Sequence, residues 1–326
     1  MPGKALSKFL ALFFIVSLLI IICTCIGPTI NFEKSFMILF GRGSSSRERA
    51  IIFDVRFPRV LLAVVIGMAL AASGAALQGL FRNPLASPYI LGVSSGSAFG
   101  AALAIIIGLT SSLAIQAWAF TIGFLATLIA MFLSRGASKT SLLLAGVAMS
   151  SLFSALTSLS MYYAGEKLEL IVSWILGSLA TSDWTKFNCI TPPVIFSSII
   201  LVFYGWRINV LTLGDEQAKA MGISPEIVRL IVALLSALSV ASAVSVSGTI
   251  AFIGLITPHI ARAIFGHDYR MLIPSSALLG GIILLCSDTL TRTLRAPVEL
   301  PVGVLTSLMG APFFLYLVWR GRLWEY

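Results

Sequence analysis

The feature that most constrains this chain is a series of apolar runs between Phe9 and Trp319, each about 20 residues long and so able to cross a bilayer as a helix. Of the 326 residues, 58% are hydrophobic and only 11% are charged, which is too little polar surface to cover a soluble domain. The sequence therefore predicts an all-α, polytopic membrane protein.

We predict ten membrane spans in a single transmembrane domain, residues 1–326. The predicted spans are Phe9–Gly27, Arg59–Leu80, Tyr89–Leu109, Leu113–Leu133, Ser141–Tyr163, Phe187–Trp206, Val228–Ser247, Thr249–Phe265, Leu272–Leu290 and Leu300–Trp319. "RVLLAVVIGMALAASGAAL" from Arg59 faintly resembles "RLIVALLSALSVASAVSVSG" from Arg229. With five spans per half, such a repeat would be inverted, as in many transporters, although chance similarity is an equal alternative.

The distribution of basic residues suggests an orientation. An even number of spans places both termini on one side, and Lys4, Lys8, Arg320 and Arg322 favour the cytoplasm for that side. Twelve basic residues then lie inside and ten outside, a bias so weak that the outer cations need a reason of their own. The predicted external loop is 29–58, and the predicted cytoplasmic loop is 207–228.

The cytoplasmic loop contains "LGDEQAKAMGISP". Acidic residues near the start and Gly222 after the end predict a short helix. Its small face, formed by Ala218 and Ala220, would fit the cleft of a cytosolic partner. The alternative is a solvated connector.

On the outer side, Arg56 and Arg59 flank Pro58, which suits the first turn of a helix. Guanidinium groups at an outer surface can pair with carboxylates of an incoming protein. Arginines that merely reach the lipid–water interface are an equally good explanation from the residues alone.

Several other functions find little support. Ionisable residues within the spans are few, chiefly His259, Arg262 and Asp288, so the carboxylate chain that an ion-coupled secondary carrier often uses is missing. Such a carrier, with no ATPase partner, remains the alternative. The sequence has no phosphate loop, no H-E-x-x-H motif and no metal-type cysteine spacing. We therefore expect no enzyme activity and no metal site in this chain. No basic stretch is interleaved with aromatic residues, so we expect no nucleic-acid partner either.

Five stretches carry a resemblance to a known family. They are "VRFPRVLLAVVIGMALAASGAALQGLFRNPLASPYILGVSSGSAFG", "TSLLLAGVA", "LGDEQAKAMGI", "GTIAFIGLITPHIAR" and "ELPVGVLTSLMGAPFFLYL". Together they span nearly the whole chain, and they resemble the permease subunits of the binding-protein-dependent ABC importers for iron siderophores, haem and cobalamin.

The resemblance implies a type II ABC importer permease that acts as a homodimer in the cell membrane. It implies two ATPase subunits on the cytoplasmic side and one solute-binding protein outside. ATP and magnesium would bind to the partner ATPase, and this chain would hold no cofactor. The expected solute is a metal chelate (ferric siderophore, haem or cobalamin), and the sequence does not choose among them.

The resemblance also implies roles for individual residues. Those for docking of the binding protein are Arg56, Arg59 and Arg292, with Arg295 nearby. Those for coupling to the ATPase are Gly214, Asp215, Glu216, Ala218 and Gly222. Those for a cytoplasmic gate are Asn83, Leu85, Lys139, Thr140 and Ser141. Lys139 departs from the family, which often has a small hydroxyl residue there. For His259 we expect a structural role, with metal ligation as the alternative.

Overall fold

The computed structural model describes residues 2–43, 45–134 and 138–319, and every regular element in these ranges is helical. Three arginines used to predict orientation, Arg135, Arg320 and Arg322, lie outside the described residues. The helices are α1 (Pro2–Cys25), α2 (Phe32–Leu39), α3 (Ser46–Ala50), α4 (Phe57–Phe81), α5 (Val93–Ile106), α6 (Ser112–Leu133), α7 (Lys139–Tyr163), α8 (Leu168–Ile175), α9 (Trp184–Leu213), α10 (Asp215–Ala220), α11 (Pro225–Ser247), α12 (Ile253–Phe265), α13 (Tyr269–Leu294) and α14 (Val302–Trp319).

The bundle contains the expected ten apolar helices in the described part of the chain. Seven are long and apolar enough to cross a membrane, namely α1, α4, α6, α7, α9, α11 and α13. The three shorter apolar helices are α5, α12 and α14. The prediction of an all-α polytopic fold is therefore confirmed.

Helix α4 is the centre of the bundle and is buried along most of its length. It packs closely on α13, where a methyl group added to Gly67 would overlap the backbone of Gly280. The same holds between Gly74 and Gly254 of α12. Since lipid provides no hydrophobic drive for helix association, such close backbone contact is a main source of stability in the membrane.

Two of the predicted loops are shorter than the sequence suggested. Helix α9 continues to Leu213, and α11 begins at Pro225, so the predicted cytoplasmic loop 207–228 reduces to residues 214–224. The predicted external loop 29–58 contains α2 and α3. From Ser46 the chain is helical without a break to Phe81. A wider π-helical turn at Ile51–Arg56 precedes Pro58, whose nitrogen cannot donate to the preceding turn.

Two predicted spans are shortened at their starts by left-handed residues. Gly92 has φ +83° and separates a 3₁₀ turn at Pro88–Leu91 from α5. Phe252 has φ +67°, an unusual value for a residue with a side chain, and it precedes α12. The predicted spans Tyr89–Leu109 and Thr249–Phe265 are therefore each an irregular segment followed by a short helix.

The two ends of the bundle are chemically distinct. One end, which we name the α10 end, brings together the last residues of α4 and α9, the helix α10 and the first residues of α11 and α13. The other, the arginine end, holds Arg56, Arg59 and Arg292 beside the last turns of α1 and α13. Helix α11 starts where α4 ends, as an inverted repeat requires.

Candidate functional site

A groove lined by hydroxyl groups runs along one side of the bundle. Two adjoining cavities of about 350 Å³ and about 530 Å³ share Ile175 and Thr249 and form what we call the hydroxyl groove. Its polar lining residues are Tyr89, Ser94, Ser95, Ser150, Ser154, Thr157, Thr249 and Ser307. None of the lining residues in the described part of the chain is charged. The groove can thus offer neutral hydrogen bonds and hydrocarbon to a solute.

The irregular segment before α12 forms part of the wall of this groove and is held by two side chains. The Tyr89 hydroxyl donates to the Ile250 carbonyl oxygen at 2.6 Å and accepts from the Ile250 N–H at 3.1 Å. Thr249 Oγ1 donates to the Ile175 carbonyl oxygen at 2.5 Å. Backbone that leaves a helix inside a membrane needs such partners, because lipid cannot supply them.

Removing the Tyr89 hydroxyl is a direct test of this arrangement. We expect Tyr89→Phe to leave both polar groups of Ile250 without a partner, at a cost of about 1–3 kcal/mol for each buried group. The melting temperature of the detergent-purified protein measures the loss. The control is Tyr162→Phe, because Tyr162 is 81% exposed and its hydroxyl makes no hydrogen bond to the backbone of the described residues. Equal melting temperatures for the two variants would show that the segment is held by other contacts.

Asp215 attaches helix α10 to the bundle through both of its carboxylate oxygens. Asp215 Oδ1 accepts from Arg82 Nη2 at 2.9 Å, and Asp215 Oδ2 accepts from Arg229 Nη1 at 2.9 Å. Arg82 follows α4, and Arg229 lies in the first turns of α11. Asp215 therefore joins a six-residue helix to the two central helices of the bundle.

The five residues predicted to contact an ATPase do not share one surface. Glu216 and Gly222 are exposed, and the left-handed conformation of Gly222 (φ +76°) ends the turn after α10. Ala218, by contrast, is fully buried against the bundle, and Gly214 is buried as well. The small exposed residue is Ala220, and Met221 beside it is 52% exposed. The alternation of inward and outward residues on so short a helix could not be read from composition.

The predicted gate residues lie in two separate stretches. Asn83 Oδ1 accepts from the Leu85 N–H at 2.9 Å and so shapes the loop after α4, leaving Leu85 exposed. Ser138 caps α7 by accepting from the Ser141 N–H at 3.0 Å. Lys139 is half-buried, while Thr140 and Ser141 are exposed. Within residues 2–43, 45–134 and 138–319 the structure gives no hydrogen bond that joins the two stretches.

At the arginine end, Arg59 is bound by two carboxylates. Its Nε lies 3.1 and 3.0 Å from the two oxygens of Asp288, and its Nη2 donates to Asp288 at 2.8 Å. Its Nη1 donates to Glu299 at 2.9 Å. The exposed fractions of the side chains are 7% for Arg59, 0% for Asp288 and 37% for Glu299. Arg59 thus ties α4 to α13 and to the segment before α14.

The other predicted docking arginines divide into buried and exposed. Arg56 donates to the Cys25 carbonyl and to the hydroxyls of Ser35 and Thr29, and only 5% of the residue is exposed. Arg292 donates to the Cys23 carbonyl and is 4% exposed. Arg295, after the last turn of α13, is exposed. Arg56, Arg59 and Arg292 therefore make contacts within this chain, whereas Arg295 is accessible from outside. The role of these arginines in docking stays a prediction.

His259 joins two elements of the bundle. Its Nε2 lies 3.0 Å from the Pro84 carbonyl oxygen, so the ring connects α12 to the loop after α4. This contact provides a structural reason for the histidine.

Sequence reasoning missed several residues of these sites. The partners Arg82, Arg229 and Glu299 were not assigned to a site, and neither were the hydroxyl residues of α5 and α7 that line the groove. The serine-rich runs "VSSGS" and "SSLFSALTS" were a signal for the groove, because hydroxyls recur on one face. The ion pairs gave no signal, because their members lie far apart in the chain.

The comparisons with known proteins agree with this architecture. Residues 13–320 match the FecCD transport family. The hemin transport system permease protein of Yersinia pestis is 39% identical over 330 residues, covering 99% of this chain and 98% of the relative. The molybdate import system permease protein of Haemophilus influenzae is 42% identical over 277 residues, covering 84% of this chain and 82% of the relative.

A solved structure provides independent support for the fold of an ABC transporter permease. It is an inward-facing conformation of an ABC transporter described as metal-chelate type, and it superposes with a TM-score of 0.88 at 37% identity. The match covers 96% of this chain and 99% of the other. The chain belongs to the FecCD transport family and is a permease of the ABC importer type.

Proposed function

We propose that two copies of this chain enclose a pathway through which a metal chelate enters the cell. The observation that carries the proposal is the hydroxyl groove, whose lining combines hydroxyls with hydrocarbon and includes no charged residue among those described. A chelate already encloses its metal within ligands of its own. A neutral wall with scattered hydroxyls suits such a solute, because the wall binds the surface of the chelate weakly enough for the chelate to pass.

The names of the relatives support this solute class without fixing the solute. One relative is named for hemin and another for molybdate, so similar chains serve different cargoes. We propose a metal chelate, with ferric siderophore, haem and cobalamin as the candidates. The lining offers no histidine, cysteine or carboxylate among the described residues that could strip the metal.

A second copy is needed to close the groove, and α7 offers a surface for it. Ser151, Ala155 and Ser158 lie on an exposed face of α7 at helical spacing, next to the groove residue Ser154. Small residues at such spacing allow close approach of another helix in lipid. We therefore propose a homodimer in which each copy supplies one wall.

Energy would come from a separate ATPase that binds the α10 end. The exposed residues Glu216, Lys219, Ala220 and Met221 form a small protruding surface, while Asp215 holds the helix to the bundle. This end would then face the cytoplasm, with both termini on that side and the arginine end outside. The location is the cell membrane.

The alternative is an ion-coupled secondary carrier that works without an ATPase. Such carriers place ionisable side chains along the pathway to bind the driving ion. The absence of charge from the described lining of the groove disfavours this mechanism. The energy source separates the two functions.

The experiment is uptake of a labelled chelate into proteoliposomes that contain the permease and its ATPase. We expect uptake to need both ATP and the solute-binding protein. We also expect Ser154→Phe to narrow the groove and reduce uptake roughly tenfold or more. Ile199→Phe adds the same ring to the exposed face of α9 and should leave uptake unchanged. Uptake that does not depend on ATP and is abolished by an uncoupler would establish the ion-coupled carrier instead.

Docking of the binding protein can be tested at the arginine end. We expect Arg295→Glu to weaken docking by roughly tenfold, because it reverses an accessible charge that would steer an acidic surface. Surface plasmon resonance at low and high salt measures the change. Arg207→Glu reverses an exposed charge at the α10 end and serves as the control. Unchanged affinity for Arg295→Glu would remove this residue from the docking surface.

A further inference from the structure

Helix α2 lies between two membrane spans and exposes a row of apolar side chains at the arginine end. Phe32, Phe36 and Phe40 recur at four-residue spacing and are all exposed, and Met37 beside them is exposed as well. The three rings lie against one another, with centroids 6.4 Å and 4.8 Å apart. We call these four side chains the phenylalanine stripe. Contiguous exposed apolar surface of this kind marks an interaction site.

The opposite face of α2 is fixed to the bundle. Ile38 is buried in a small apolar cluster that includes Ile52. Ser35 Oγ accepts from Arg56 Nη1 at 3.1 Å, and the same nitrogen lies 3.4 Å from the carbonyl oxygen of Cys25, the last residue of α1. These contacts hold α2 beside the end of α1, with the phenylalanine stripe turned away from the chain.

The position of α2 makes lipid its natural neighbour. Only 17% of the most apolar stretch of α1 is buried in the bundle, so α1 presents most of its surface to the bilayer. Phe13, Phe14 and Leu18 are among its exposed side chains. Because α2 packs on α1, the phenylalanine stripe continues the lipid-facing surface of α1 beyond the end of that span.

An aromatic side chain on another helix marks the depth of this region. Trp184 opens α9, and its Nε1 donates to the Phe53 carbonyl oxygen at 2.9 Å. Phe53 follows Ile52, which belongs to the cluster behind α2. Tryptophan is enriched where a bilayer meets water, because its ring is apolar and its N–H is polar. We therefore place α2 at the level of the lipid headgroups.

The charged side chains around α2 favour phosphate over a net negative surface. They are Glu33, Lys34, Arg42, Arg47, Glu48, Arg49 and Asp54, so four cations stand against three acids. Lys34 pairs with Glu48, and Arg49 lies over the Phe53 ring at 5.7 Å. Arg42 and Arg47 are exposed and make no ion pair within the ranges that the structure describes. Two accessible guanidiniums after an apolar stripe suit the phosphates of a phospholipid.

Two protein partners fit the phenylalanine stripe less well. The surface proposed for a second copy is on α7, which packs on α5 and α6, whereas α2 packs on α1 and the π-helical turn at Ile51–Arg56. A binding protein with an acidic surface would be attracted by arginines, and a row of phenylalanine rings offers it nothing.

We propose that α2 is an interfacial anchor that binds phospholipid in the leaflet at the arginine end. The phenylalanine stripe lies among the upper parts of the acyl chains, and Arg42 and Arg47 reach the phosphates. Since the local charges nearly balance, a zwitterionic phospholipid is sufficient. Through Ser35 and Arg56, the anchor fixes the end of α1 and the start of α4 relative to the membrane surface.

Photocrosslinking of the full-length permease in phosphatidylcholine nanodiscs identifies what covers the stripe. The test variant is Phe36→p-benzoylphenylalanine, and intact-protein mass spectrometry counts the lipid adducts after irradiation. The same replacement at Phe14, on the lipid-facing side of α1, gives the reference yield. At Met221, exposed at the α10 end, it gives the background. We expect the yield at Phe36 to exceed that at Met221 roughly fivefold or more and to approach that at Phe14.

A second set of variants tests whether the stripe itself holds α2 in the interface. We expect Phe36→Ser combined with Phe40→Ser to lower the lipid yield of a crosslinker at Phe32 roughly fivefold or more, because α2 then leaves the acyl chains. Both replaced side chains are exposed, so the fold should persist. Phe203→Ser removes an exposed ring from α9 and should leave the yield at Phe32 unchanged.

Three results would overturn the proposal. The first is a lipid yield at Phe36 no higher than at Met221. The second is a crosslink from Phe36 to a second copy, or to the solute-binding protein when that protein is added, in place of lipid. The third is an unchanged yield at Phe32 in the double serine variant, which would show that other contacts position α2.

Discussion

Replacing Asp288 with alanine is expected to leave little folded protein. Asp288 is fully buried and binds Arg59 through both oxygens, so its removal leaves a guanidinium that is only 7% exposed with Glu299 as the carboxylate that still binds it. Breaking a buried ion pair by removing one partner costs about 3–5 kcal/mol. That is a large part of the stability of a typical domain. The yield of monodisperse protein after detergent extraction and its melting temperature measure the loss.

Two further variants separate charge from volume. Glu299→Gln weakens the same cluster at its half-exposed member, where an ion pair contributes only about 0–1 kcal/mol, so the melting temperature should change little. The double variant Arg59→Leu with Asp288→Leu removes both buried charges and should recover much of the lost stability. If Asp288→Ala and Glu299→Gln lowered the melting temperature equally, burial would not explain the role of Asp288.

This cluster shows where reading the sequence reached its limit. The positive charge before a membrane helix in "FDVRFPRV" predicts either a docking surface or arginines at the lipid–water interface. The partner of Arg59 is 229 positions away, on a helix that could not be paired with α4 from one sequence. The ion pair of Arg59 removes part of the misfit with the positive-inside pattern, because an arginine paired with a carboxylate contributes little net charge.

The fold itself was largely predictable, because ten apolar helices leave a strong signal in hydropathy. The breaks at the starts of α5 and α12 were harder to find. Gly92 is at least a residue that readily adopts positive φ, but Phe252 is not, and nothing in "TIAFIGL" marks it. Tertiary contacts hold that conformation: the Phe252 ring packs closely on Gly310 of α14, and Tyr89 holds the neighbouring Ile250.

The internal similarity gains a physical meaning from the ion pairs. Arg59 opens one of the similar stretches and binds Asp288 and Glu299; Arg229 opens the other, binds Asp215 and lies 3.9 Å from Glu226. The two arginines lie at opposite ends of the bundle, at the starts of its two central helices. Each is therefore a buried cation that attaches a segment at one end of the bundle to the start of a central helix. A repeat in inverted orientation would produce this arrangement.

The second large effect is expected at the α10 end. We predict that Asp215→Asn lowers chelate uptake roughly tenfold or more while the protein still folds. Helix α10 has six residues and is too short to be stable alone, so its direction depends on the bonds from Asp215 to Arg82 and Arg229. Asparagine keeps the shape but loses the charge that attracts both guanidiniums. Uptake and ATPase rate, measured in the same proteoliposomes, give the effect on coupling.

The matched control is Asp268→Asn at the same end of the bundle. Asp268 is also ionised and bound by an arginine, but it caps α13 instead of holding α10, and asparagine caps helices equally well. Its uptake should stay near that of the unmodified protein. If Asp215→Asn lowers uptake but leaves ATP hydrolysis running, then α10 transmits the motion and is not needed for assembly. Equal losses in both variants would mean that charge at this end, and not the attachment of α10, sets the rate.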